Sequence, residues 1–176
     1  MKPEGLAISA RLGKNRAKGV AAYMPEKMRK VPPHVAKQEE SGQVYYTVFW
    51  SPLRKAEKFD IVRHVPAMAG IFELYYMDEN ERIRRMCISR AWYGGLRSKL
   101  RHDTDPELVM DKNWRKILDK YKCFYRYTLT NSMDDMLDVL HFFSKMYIPD
   151  QPVPQDSGRY QEIFLEEISP DKVVTI

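Results

Sequence analysis

Hydrophobic and polar residues alternate in blocks along the chain, and these blocks predict a β-hairpin and two further strands. The segment 70-GIFELYYM-77 is apolar and aromatic, 78-DENE-81 is polar, and 82-RIRRMCIS-89 brings apolar residues back. This order is typical of a hairpin with a four-residue turn. Two more strands are predicted at 123-CFYRYTL-129 and 43-QVYYTVFW-50, because both are rich in aromatic and β-branched residues.

Apolar residues at helical spacing predict three helices around this hairpin. The first begins near Leu96, directly after the hairpin. The second follows Asp105, its expected N-cap, and the third covers 131–147 with Ser132 as the cap. The order β-β-α-α-β-α predicts an α+β domain in which a small three-stranded, mostly antiparallel sheet is flanked by helices.

The remaining segments set the expected domain boundaries. Residues 1–40 contain Gly and Pro without sustained periodicity, which indicates a basic, flexible arm. The domain is expected over 41–148, with its core at 65–143 and a polar loop at 51–60. Residues 149–176 are interpreted as a Pro-rich break and a short C-terminal appendage, which packs back on the domain or pairs with a protein partner.

Composition and charge point to a globular protein with a polyanionic partner. The chain is 44% hydrophobic and 30% charged, and it holds no apolar run long enough for a membrane span. Its net charge of +5 is uneven: residues 1–30 sum to +6, 61–102 to +4 and 103–176 to −5. Basic clusters of this kind favour nucleic acid as a partner. A solubilising tail on an ordinary charged surface explains the same charges.

Cysteine and histidine usage indicates the compartment. Only Cys87 and Cys123 are present, both in predicted strands, so no disulfide framework is expected. The N-terminus lacks the apolar stretch of a secretory signal, and a reducing, cytoplasmic location fits best. No histidine or cysteine pair has the spacing of a zinc site.

The hairpin and the basic helix after it resemble the GIY-YIG endonuclease domain. In that family each hairpin strand carries one tripeptide, the next helix bears a catalytic arginine, and a later helix supplies a metal-binding glutamate. Here 70-GIF-72 and 87-CIS-89 stand at the two tripeptides, and 96-LRSKLR-101 is similar to the basic helix. The resemblance covers residues 65–143 and implies the family's fold and a nucleic-acid substrate.

The positions that the resemblance marks as catalytic carry unusual residues. Phe72 has no hydroxyl with which to activate water, and Cys87 replaces the second tyrosine. Lys99 stands at the arginine position when one extra residue is allowed at Gly94-Gly95, whereas another placement of this gap brings Arg97 or Arg101 there. Leu140 occupies the glutamate position, and Asp138 is the nearest acid for a metal ion. The resemblance therefore implies a catalytically degenerate nuclease fold, in which Mg²⁺ is expected only if endonuclease activity remains.

Three functions stay open. The first is nucleic-acid binding without hydrolysis, the second is a divergent metal-dependent endonuclease, and the third is a structural or protein-interaction module. DNA and RNA are equally compatible with the sequence. The side chains expected to contact nucleic acid are Arg84, Arg85, Arg90, Trp92, Arg97, Lys99 and Arg101. In the alternative interpretation, these arginines form a solvated surface and the tryptophan is a partly buried anchor.

Overall fold

The computed structural model describes residues 22–23, 31–148 and 152–171, which form an α+β protein. The described strands are β1 (Ala22–Tyr23), β2 (His34–Glu40), β3 (Gln43–Phe49), β4 (Arg54–Lys55), β5 (Gly70–Met77), β6 (Ile83–Ala91), β7 (Cys123–Leu129) and β8 (Glu162–Ser169). The described helices are α1 (Lys58–His64), α2 (Gly95–Asp103), α3 (Lys112–Lys120) and α4 (Met133–Tyr147). None of these helices has the length and apolar character needed to cross a bilayer.

One sheet contains the predicted hairpin and is antiparallel throughout. Its order is β4-β7-β5-β6, so the three predicted strands are confirmed and a two-residue strand, β4, is added at the edge. The polar turn holds its shape because the Asp78 carboxylate accepts hydrogen bonds from the backbone N–H groups of Asn80 and Arg82, both at 2.9 Å. We call this sheet the antiparallel sheet.

A second four-stranded sheet was not predicted. Its order is β1-β8-β3-β2; β8 runs parallel to both β1 and β3, while β2 and β3 form an antiparallel hairpin. Positive φ angles at Ser41 (50°) and Gly42 (82°) make the tight turn between β2 and β3. We call this sheet the mixed sheet.

The mixed sheet changes the expected domain boundaries. Residues 34–40, assigned to the arm, form β2 and pair with β3 along its whole length. Residues 162–169, assigned to an appendage, form an interior strand of the sheet. The folded unit therefore includes both segments, whereas residues 1–21 and 24–30 of the predicted arm lie outside the described residues.

Two apolar cores lie on opposite faces of the antiparallel sheet. On one face, α1 and α2 pack through Ile61, Leu96 and Leu100. On the other face, α4 packs between the two sheets; the buried side chains there are Val44, Tyr46, Val48, Trp50, Ile71, Met136, Val139, Leu140 and Phe143. Neighbouring residues of β5 point to opposite faces, as alternation in a strand requires.

The predicted helices are present with corrected starts. Helix α4 begins after Ser132, whose hydroxyl accepts a hydrogen bond from the Asp135 backbone N–H at 3.1 Å, as expected. Helix α3 begins later than predicted, because its N-cap is Asp111 instead of Asp105. The segment expected to be a loop, 51–60, contains the short strand β4 and the first three residues of α1.

Candidate nucleic-acid interface

Helices α1 and α2 form one surface because close backbone contacts fix the start of α2 beside the end of α1. Gly95 has φ of +72°, and a Cβ there would lie 2.8 Å from the carbonyl carbon of Ala67. The Leu96 backbone N–H donates to the Met68 carbonyl at 2.8 Å. The Arg97 guanidinium donates to the Val65 carbonyl, directly after α1, at 2.7 Å. Glycine at position 95 therefore permits the start of α2 to lie close to the Ala67 backbone, and the hydrogen bond from Arg97 to Val65 stabilises this position.

The two helices carry basic residues in their last turns, and a pocket of about 460 Å³ lies beside them. Lys58 and Arg101 are exposed cations in its wall, and within the described residues neither forms an ion pair. The full lining consists of Lys58, Ser98, Arg101, His102, Thr104, Asp105, Pro106 and Leu108. The two cations, the imidazole and the Ser98 hydroxyl suit a phosphate group, whereas the Thr104 hydroxyl already donates to the Leu100 carbonyl at 2.7 Å and Asp105 adds a carboxylate to the lining. We call this surface, with its pocket, the α1–α2 surface.

Lys99, which the resemblance places at the arginine position, is already paired. Its ammonium nitrogen lies 2.8 Å from Asp103 Oδ1, and His102 Nδ1 lies 3.0 Å from the same oxygen. The Asp103 side chain is mostly buried, and its backbone carbonyl accepts a hydrogen bond from the Trp114 indole at 3.0 Å. The charge of Lys99 is therefore partly offset by Asp103, whereas Arg101 has no such partner within the described residues.

Phe72 and Cys87 lie beside α2, but as packing residues. Phe72 is fully buried in the apolar core that contains Leu96 and Leu100. Cys87 packs against the same core, and burial raises the pKa of its thiol to about 12. A buried phenyl ring and a protonated thiol cannot activate water at neutral pH.

The other residues expected to contact nucleic acid do not join this surface. Arg84 lies 2.9 Å from the Asp78 carboxylate, and Arg85 is mostly buried beside Glu73. Arg90 extends toward Met133 at the start of α4, and Trp92 packs against the core that contains α4. Of the predicted set, only Arg97, Lys99 and Arg101 share α2.

Asp138, the possible metal ligand, belongs to a polar cluster that sequence reasoning missed. One carboxylate oxygen accepts from the Ser157 backbone N–H at 2.7 Å, and the other accepts from Tyr46 at 2.9 Å and Arg159 at 2.8 Å. Burial alone would raise the pKa of Asp138, but the hydrogen bonds from Ser157 and Arg159 hold it below its ordinary value. The guanidinium occupies the place that a cation would need. Within the described part of the chain, no group of three His, Cys, Asp or Glu side chains is arranged to hold a metal ion.

Sequence reasoning also missed the contribution of α1. Pro52 and the charged residues after it indicate a loop, so the sequence alone does not place Lys58 among the expected contacts. Ile61 and Val65, four residues apart and both buried in the core, are the signal that would have revealed the helix. His102 and Thr104 close the pocket because α2 extends through Asp103.

Comparison with known proteins identifies a family. A family model described as "Uncharacterised protein" matches residues 34–176, which is most of the chain, so the chain belongs to this family. The match begins at His34, the first residue of β2, and it includes β8. No curated protein and no solved structure matches the chain.

Proposed function

We propose that this protein binds nucleic acid through the α1–α2 surface, on a GIY-YIG-like fold that has lost its hydrolytic residues. The observation that carries the proposal is the pocket between the helices, where the unpaired cations Lys58 and Arg101 lie with hydroxyl and imidazole groups. A phosphate seated there would gain charge-assisted hydrogen bonds, which are stronger than those between neutral groups.

The charge distribution supports a polyanion as the ligand. Arg63 on α1 adds a third exposed cation to the helix pair, and no described residue pairs with it. Nucleic-acid affinity arises mainly from neutralising phosphates with lysine and arginine, so unpaired cations contribute more than paired ones. For this reason Lys58, Arg63 and Arg101 are the phosphate contacts in the proposal, and Arg84 and Arg85 are not.

Three features support binding without hydrolysis. Phe72 offers no hydroxyl and is enclosed in the core, and the charge of Lys99 is partly offset by Asp103. Asp138 is held by Arg159 and cannot receive a metal ion in this arrangement. Labelled duplex, branched and single-stranded substrates should remain intact with the protein and Mg²⁺ or Mn²⁺. Robust cleavage that is lost in Lys99→Ala would establish the endonuclease function instead.

Binding is tested with labelled duplex DNA, duplex RNA and single strands by fluorescence anisotropy between 50 and 200 mM salt. Lys58→Ala/Arg101→Ala should weaken binding and lower the slope of log affinity against log salt by about 0.9 for each lost duplex DNA contact. The control is Arg82→Ala/Lys145→Ala, which removes two exposed cations from the hairpin turn and from α4, away from the surface. This control loses the same charge, so it reports the effect of net charge alone.

Two results would contradict the proposal. The first is an absence of binding at 50 mM salt by the wild-type protein. The second is an equal loss of affinity in the two double variants, because the cations would then act only through net charge. Circular dichroism and thermal unfolding of both variants establish that a lost affinity does not reflect a lost fold.

A further inference from the structure

The outer face of the mixed sheet presents aromatic side chains that no described residue covers. Residues paired across β2, β3 and β8 share this face, so side chains from the three strands form rows. Going across the strands, the rows are Glu40–Gln43–Glu162, Gln38–Tyr45–Phe164, Ala36–Thr47–Glu166 and His34–Phe49–Ile168. We call these twelve side chains the aromatic face.

Two stacked pairs keep these rings on the surface. Tyr45 stacks on Phe164 with ring centroids 4.8 Å apart, and the side chains stay 41% and 39% exposed. His34 stacks on Phe49 with ring centroids 4.6 Å apart. The Tyr45 hydroxyl donates to the Gln43 side chain at 3.0 Å, which fixes the ring further. Ordered, exposed aromatic rings are features of recognition surfaces.

The charge of the aromatic face is opposite to that of the whole chain. Glu40, Glu162 and Glu166 are exposed on it, and none of its twelve side chains is a lysine or arginine. The chain as a whole carries a net charge of +5. This face therefore repels polyanions locally and attracts cations, in contrast to the α1–α2 surface.

A pocket of about 410 Å³ opens at the Glu40 end of the face. It is lined by Gln38, Glu39, Glu40 and Tyr45. The Glu39 carboxylate is occupied by Lys37 at 2.9 Å and also accepts from the Tyr160 hydroxyl. The Glu40 carboxylate has no hydrogen bond or ion pair within the described residues.

We propose that the aromatic face binds a lysine- or arginine-bearing segment of a partner protein. One cationic side chain of that segment enters the pocket beside Tyr45 and pairs with Glu40, while its neighbours lie along the Tyr45–Phe164 stack. Aromatic faces attract ammonium and guanidinium groups through their π electrons, and the carboxylates add direct charge attraction. A second copy in face-to-face contact is disfavoured because three carboxylates would then meet three carboxylates.

The probe is a fluorescein-labelled hexa-arginine peptide, with hexaglutamate as its opposite, titrated against the full chain at 50 mM salt. Since the chain is cationic, its net charge opposes binding of hexa-arginine, and measurable affinity requires a local acidic surface. Tyr45→Ser/Phe164→Ser and Glu40→Gln/Glu162→Gln should each weaken hexa-arginine binding by at least about fivefold. The matched control, Glu57→Gln/Glu107→Gln, removes two exposed acids elsewhere and should bind like the wild type.

Several outcomes would overturn the proposal. The first is a wild type that does not bind hexa-arginine, and the second is equal binding of hexa-arginine by all three double variants. A dimer in light scattering that dissociates in Tyr45→Ser/Phe164→Ser would show that a second copy covers the face. A loss of affinity for single-stranded nucleic acid in the same variant would show that the rings stack on bases. Unchanged thermal unfolding of each variant separates these outcomes from a loss of fold.

Discussion

Replacing Glu73 with glutamine should destabilise the protein by about 3–5 kcal/mol, because it leaves buried cations without a counter-charge. Glu73 lies on β5 and is fully buried between the two sheets. Its carboxylate accepts hydrogen bonds from Arg126 and from the Tyr75 hydroxyl, and it lies 3.1 Å from the Arg85 Nε atom. Arg126 also pairs with Glu167 on β8 at 2.9 Å, so the network joins the two sheets.

The magnitude follows from the balance of charges in this network. Two guanidinium groups face two carboxylates, and only 2% of the Arg126 side chain is exposed. Glutamine retains an acceptor but not the charge, so the network would carry one uncompensated positive charge. Arg126 Nη1 is already buried without a hydrogen-bond partner, so no further protein group is placed to compensate for the lost charge of Glu73. A domain of this kind typically has 5–15 kcal/mol of stability, so the change removes a large part of it.

Urea denaturation at pH 7, followed by tryptophan fluorescence, measures the effect. The control is Glu79→Gln, which breaks a pair with Lys120 on the exposed hairpin turn and should leave the free energy of unfolding nearly unchanged. A loss below about 1 kcal/mol for Glu73→Gln, with an unchanged slope against urea, would refute the account of the buried network.

The same network gives a pH dependence with a definite sign. Burial alone would raise the pKa of Glu73, but the charges of Arg126 and Arg85 hold it below its ordinary value of 4.5. A carboxyl whose pKa is lower in the folded state contributes stability above its unfolded pKa and loses it as the pH falls. Stability of the wild type should therefore fall below about pH 4.5, and Glu73→Gln should lack this component.

Three further predictions test the backbone, the helix caps and a buried thiol. Gly70→Ala should destabilise by at least about 2 kcal/mol in thermal unfolding, because its Cβ would lie 2.2 Å from the Thr128 carbonyl oxygen; near-wild-type stability would mean that the strands separate more easily than the structure implies. Because Asp111 caps α3, Asp111→Ala should lower the free energy of unfolding in urea by about 1 kcal/mol, and Asp105→Ala should lower it less. A larger loss for Asp105→Ala would mean that Asp105 is the N-cap, as the sequence predicts. Cys87 packs against the core and its pKa is raised to about 12, so in a Cys123→Ser background a thiol reagent at pH 8 should modify Cys87 far more slowly before than after unfolding in urea, and equal rates would show that the site opens.

The elements that could be predicted are those whose signals are local. The β5–β6 hairpin is marked by two apolar runs around one polar turn, and these residues are adjacent in the chain. Helix α4 is marked by its cap and by the helical spacing of Met136, Leu140 and Phe143, which all enter the core. In both cases the pattern within a short window agrees with the final packing.

The mixed sheet could not be predicted because its signals are weak or distant. Strand β2 has the polar sequence HVAKQEE. Its residue Lys37 lies 3.2 Å from Asp135 on α4, at a position where an apolar residue would have indicated a strand. Strand β8 pairs with β3 across 119 positions, beginning with Gln43 and Glu162. Periodicity shows that a strand has two faces, but it does not identify the strand beside it.

Buried charges explain why several predicted contacts are unavailable. Arginine is rarely buried, so Arg85 was expected at the surface. A signal was nevertheless present: Glu73 and Arg126 are the single charged residues of β5 and β7, each within an apolar run. Opposite charges enclosed in two apolar strands indicate a pair inside the protein, because a lone charge there would be very costly.

Because β8 is an interior strand of the mixed sheet, we expect the fold to tolerate a break in the chain before this strand. The connection before this strand includes the exposed residues 152–155, which are accessible to a protease. After a cut there, hydrogen bonds to β3 would still hold β8 in place. The ion pairs Glu167–Arg126 and Arg159–Asp138 would add to these contacts. We expect the two fragments to remain associated as a non-covalent complex until the protein unfolds. A peptide that carries β8 could then be exchanged, so the strand is a natural point for fragment complementation.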